Sequence, residues 1–62
     1  MKINEMTKQE QLDAVNQNGH AIQFIKKPSE EVCLAAVNQN SYAIHYIENP
    51  SDNVKILAKL LQ

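Results

Sequence analysis

The segment "AVNQNGHAIQFI" at residues 14–25 returns 22 residues later as "AVNQNSYAIHYI" at residues 36–47. Repetition at a fixed short period in so small a chain means that one supersecondary unit has been copied, and that stacking the copies buries faces a single copy leaves bare. Alignment of residues 7–28 with residues 29–50 gives ten identities in 22 positions, and replacements such as Phe24/Tyr46 and Thr7/Ser29 keep the chemistry. The frame continues past Pro50, where Val54 follows Val32, Ile56 follows Leu34 and Ala58 follows Ala36. The chain therefore divides into a unit at 7–28, a unit at 29–50 and a closing half-unit at 51–62, all within one domain.

Each unit begins with a helix-start signal. Thr7, Ser29 and Ser51 are N-cap residue types, and Glu30, Glu31 and Asp52 place negative charge in the first turn, where the helix dipole favours it. The apolar run Val32 to Val37 would suit a buried strand, but its counterpart "TKQEQLDAVNQ" has no strand character and Ala-Ala favours helix. Helices are predicted near 8–17, 30–39 and 52–61. The second half of each unit, "GHAIQFI" and "SYAIHYI", carries apolar residues at i, i+1, i+3 and i+4, which predicts short helices near 19–26 and 41–48. Asn18 and Asn40 then occupy tight corners between helices. Asparagine tolerates the left-handed conformation that ends a helix, and its side-chain oxygen accepts a backbone N–H from the next. The expected fold is all-α: two stacked helical-hairpin repeats with a C-terminal capping helix.

Size and charge narrow the functions. A chain of 62 residues buries only about 60% of its unfolded surface, which leaves little core for an enclosed active site. A lone Cys33 forms no internal disulfide, and no Cys/His spacing resembles a structural zinc site, so no metal or cofactor is expected. The single cysteine and the lack of an apolar run in "MKINEMTKQEQ" predict the cytoplasm. No stretch approaches the roughly 20 apolar residues that cross a bilayer. Six basic and seven acidic residues give a net charge of −1, which provides no long-range field for nucleic acid or membranes.

The pattern A-V-x-Q-N-x-x-A-[IL]-x-[FY]-I, followed by a proline and a further copy, resembles the short tandem helical repeats of a family of unknown function found in bacteria, their phages and large DNA viruses. The resemblance covers residues 7 to about 58 and implies a helical repeat array, with a phage or mobile-element origin and hence the host cytoplasm. It implies no activity, because the family carries no agreed catalytic motif. The chain departs from the pattern in having two full copies and in placing Lys59 where Val37 predicts an apolar residue.

Candidate chemistry is sparse. His20 aligns with Tyr42 and His45 with Gln23, so neither histidine belongs to the repeated design, and both are expected at the surface. Cys33 aligns with Gln11 and Lys55 and is expected to be partly buried. The triplets Asn16-Gln17-Asn18 and Asn38-Gln39-Asn40 either serve helix ends or form a ladder that contacts a partner. Asn18 and Asn40 fit the structural role, whereas Gln17 and Gln39 are freer to act outward. Phe24 and Tyr46 are expected to seal the hairpins. Tyr42 follows a corner and is expected to be exposed, as an interface anchor would be.

These residues predict a non-enzymatic protein-interaction module, an inhibitor or adaptor of a host protein, with Gln17, Gln39, Tyr42, His20 and Leu60 as candidate partner-binding residues. A homodimer built on "VKILAKLLQ" is the alternative, with Leu60 either facing inward or forming the seam. Nucleic-acid binding ranks below both, since Lys26-Lys27 beside Lys8 makes no basic stripe.

Overall fold

The computed structural model describes residues 7–61. Three α-helices, α1 (Lys8–Gln17), α2 (Glu30–Gln39) and α3 (Asp52–Leu61), alternate with two 3-10 helices, Gly19–Phe24 and Ser41–Tyr46. No strand occurs among the described residues. The α-helices have the expected bounds. The short helices start where predicted and end two residues earlier, and they are wound as 3-10 rather than α.

The two hairpins are the same object to within a few degrees. Thr7 and Ser29 enter their helices at φ/ψ of −67/165° and −69/165°. Each hydroxyl accepts a backbone N–H three residues on, and at Thr7 the Glu10 carboxylate returns the bond to complete a capping box. At the far end, the Asn18 N–H donates to Ala14 O and the Asn40 N–H to Ala36 O. Asn18 Oδ1 then accepts the His20 N–H, and Asn40 Oδ1 the Tyr42 N–H, each at 3.0 Å. One asparagine thus ends an α-helix with its backbone and starts a 3-10 helix with its side chain. The corner is extended, at −155/107° and −155/111°, and no left-handed residue occurs among the described residues. The expected left-handed conformation is therefore corrected. An Asn whose own side chain caps the next helix needs the β-region backbone of an N-cap.

Stacking is directional, and residues of identical type reveal the direction. Ala14 and Ala21 are half-buried while their equivalents Ala36 and Ala43 are fully buried, so these positions face the preceding unit, and the first hairpin has none among the described residues. Ile22 and Ile25 are buried while Ile44 and Ile47 are half-buried, so these face the following unit. Helix α2 packs between α1 and α3 and supplies Val32, Cys33, Ala36 and Val37 to the core. Lys59 stands at the position of the buried Val15 and Val37 and is exposed, because no further 3-10 helix covers α3 among the described residues.

The backbones of the two units approach closely at Gly19. Its N–H donates to Gln39 Oε1 at 2.6 Å across the junction, and a Cβ built on it would lie 2.6 Å from Ala36 O. A backbone oxygen cannot swing aside, so the site requires the missing side chain. Gly19→Ala should destabilise by about 1–3 kcal/mol through overpacking, whereas Ser41→Ala, which keeps an existing Cβ, should cost less than about 0.5 kcal/mol. Thermal or urea melts of the two variants measure the difference.

Candidate interaction surface

The chemistry of the chain gathers where the two 3-10 helices lie side by side. His20, on the first, is held by three residues of the second unit. Its Nδ1 lies 3.0 Å from the Tyr46 hydroxyl and its Nε2 3.1 Å from Asn40 Nδ2. The tautomer follows from the corner. Asn40 Oδ1 is committed to the Tyr42 N–H, so the amide turns its NH2 towards His20, whose Nε2 must accept. The ring proton therefore resides on Nδ1 and is donated to the Tyr46 oxygen, which leaves the tyrosine hydroxyl proton free to donate elsewhere.

Rings extend this network to the surface. His20 stacks on Tyr42 with centroids 5.9 Å apart and meets Tyr46 edge-on at 5.4 Å, while Tyr42 contacts His45 at 4.6 Å. Centroid separations of this size fall in the range where aromatic pairs attract. Tyr42 is 56% exposed and His45 is exposed, whereas Tyr46 and His20 are half-buried. Two inner rings thus hold an outer one in place.

Several expectations change here. His20 is not a surface side chain but a hydrogen-bonded strut between units. Gln39 is solvent-exposed yet spends its Oε1 on Gly19, so it couples units instead of acting freely outward, while Gln17 is exposed. Phe24 does not seal its hairpin: it is 58% exposed, because the histidine that meets its equivalent Tyr46 belongs to a preceding unit. Leu60 is 75% exposed, which removes its inward placement. Tyr42 stands where the sequence put it. Gly19 was missed, although it is the only glycine in the chain and replaces a serine in the other copy.

A groove of about 420 Å³ lies beside the rings. Ile25, Pro28 and Ile47 form apolar lining, Lys26 and Glu48 bring opposite charges, and Tyr46 borders it. Cys33 also lines this groove, with its Sγ 3.9 Å from Pro28 O. It is 6% exposed and so more buried than expected, set beside Ile25, Pro28 and Ile47. Burial, with the Glu30 carboxylate adding to it, pushes the thiol pKa above its ordinary value.

Among the described residues no three His, Cys, Asp or Glu side chains converge as metal ligands, and no helix is long and apolar enough to cross a membrane. Compared with known proteins, the chain matches no protein-family model, no curated protein and no solved structure.

Asn40→Ala should cost more than Asn18→Ala. Each loses a cap worth about 1 kcal/mol, and Asn40 also releases His20, adding roughly 0.5–1.5 kcal/mol. Equilibrium unfolding measures the gap, and ¹⁵N spectra should show His20 protonated at Nδ1 in the parent protein. Cys33 should be alkylated slowly in the folded protein and quickly in denaturant. Because the folded state holds the thiol proton more tightly than the unfolded chain, its contribution to stability is complete below the unfolded thiol pKa. That contribution is lost as pH rises from there through the raised folded value, which melts in alkaline buffers would record as a falling Tm absent from Cys33→Ala.

Proposed function

We propose that this chain is a small non-enzymatic interaction module that presents one face of a helical stack to a protein partner. The observation that carries the reading is Tyr42: an aromatic side chain more than half exposed, yet fixed by His20, Tyr46 and His45 and by the Asn40 cap beneath it. An ordered, exposed tyrosine loses little freedom on binding, which is what makes this residue type frequent among interface hot spots. The adjoining groove supports the reading, since its apolar lining and the opposite charges of Lys26 and Glu48 suit a side chain of a partner segment. The resemblance to repeats carried by bacteria and phages adds, by association, that the partner is a host protein which the module inhibits or adapts.

Affinity capture from host lysate with mass spectrometry tests this, comparing the parent with Tyr42→Ala and Gln17→Ala. Tyr42→Ala should weaken capture of the specific partner at least tenfold while its melt overlays the parent. Capture unchanged by Tyr42→Ala would remove this face from the interface.

A second reading, self-association, is favoured by Ile56, Leu60 and Leu61, all exposed on α3.

A further inference from the structure

The junction between the two 3-10 helices holds a titratable ring whose two protonation states require different hydrogen bonds. In the neutral form His20 Nε2 accepts from the Asn40 NH2 at 3.1 Å, and Asn40 Oδ1 accepts the Tyr42 N–H at 3.0 Å. One planar amide serves both bonds, with its nitrogen towards the ring and its oxygen towards the backbone. Imidazolium carries a proton on each nitrogen. Nδ1 keeps its bond to the Tyr46 hydroxyl, whereas a protonated Nε2 points a donor at the amide hydrogens. Turning the amide over resolves that clash, because Oδ1 then accepts a charge-assisted bond from the ring, stronger than the neutral bond it replaces. The same turn sets the NH2 against the Tyr42 N–H and removes its cap.

We infer that protonation of His20 reverses the Asn40 amide and uncaps the second 3-10 helix at Tyr42, so that mild acid loosens the exposed ring. Histidine is the side chain that ordinarily changes charge in this range. The titratable groups that face His20 are Tyr42 and Tyr46 of the second 3-10 helix, with His45 on the Tyr42 ring. On α1 and α2, Lys8, Glu10, Asp13, Glu30 and Glu31 bond to one another or to Thr7, Gln9 and Asn53, and none pairs with the ring. The charge that decides the amide is therefore the ring's own. The first corner is an internal control: Asn18 Oδ1 caps the His20 N–H at the same 3.0 Å, and no ring is bonded to the Asn18 NH2 among the described residues. The consequence, release of a protein partner in acid, rests on the reading of Tyr42 as the interface anchor. The amide exchange itself needs no partner.

An NMR titration of the full chain from about pH 8 to about pH 5 tests the exchange, following the imidazole signals of His20 and His45 and the protection of backbone amides from solvent exchange. As His20 protonates, protection of the Tyr42 amide should fall about fivefold, the change that a lost cap carries, while the His20 amide over Asn18 holds. Asn40→Asp, checked for folding by circular dichroism, offers one oxygen to each donor and should keep Tyr42 capped throughout. A Tyr42 amide that stays protected while His20 protonates, a His20 ring still neutral at the acid end, an equal fall at the His20 amide, or a fall that persists in Asn40→Asp overturns the inference. Capture of the partner should weaken in acid for the parent and hold for Asn40→Asp, and equal weakening in both overturns the regulation. Capture indifferent to Tyr42→Ala overturns the interface reading and leaves the amide exchange standing on the titration.

Discussion

The whole architecture depends on one asparagine corner used twice. At Asn18 and Asn40 the backbone N–H closes the last turn of an α-helix, and the side-chain oxygen of the same residue opens the next helix. A conventional connection would leave several backbone groups to solvent at this point. Here the chain reverses direction with one residue between helices, so the α-helix and the 3-10 helix of each unit pack on each other without an intervening loop. The compact hairpin is what allows a third helix to be stacked within 62 residues.

The repeat builds the fold, while the departures from the repeat build the surface. At Val15/Val37, Ala14/Ala36 and Asn18/Asn40, where the copies agree, the side chains serve core or corner. Where they differ, side chains either bridge the units or meet solvent: Gly19 against Ser41 creates the close crossing, and His20 against Tyr42 creates a strut beneath an exposed ring. Pairs of this kind need only one neighbour in one direction, so they can be unique without disturbing the stack. Lys59 follows the same logic: nothing covers it among the described residues, and it carries a charge where Val15 and Val37 are buried.

The helices and the asparagine corners were legible because each rests on local signals, a cap residue, an apolar period and a short amide side chain. The winding of the short helices was not. Apolar residues at i, i+1, i+3 and i+4 face one side whether the chain turns every 3.6 or every 3.0 residues, and six residues are too few to separate the periods. Of the candidate residues, Tyr42 and Gln17 stand exposed as their positions in the repeat suggested. His20, Phe24 and Gln39 were misplaced for a common reason: each has its environment decided by the adjacent unit, 20 or more positions away in sequence. An alignment of the copies says which residues are equivalent. It does not say what covers each one, and that cover distinguishes the buried Cys33 from the exposed Lys55.

The 3-10 winding also has a consequence for how a chain of this kind can change over generations. With three residues per turn, side chains three apart lie above one another, so Gly19, Ile22 and Ile25 form one vertical edge and Tyr42 and His45 another. Gain or loss of a single residue in either segment would rotate everything beyond it by a third of a turn, carrying an isoleucine out of the core and a polar neighbour into it. Point substitutions on the outer edges disturb nothing of the sort. Length is therefore quantised: such a protein can diversify letter by letter, or grow and shrink by a whole period of 22, with little viable ground between.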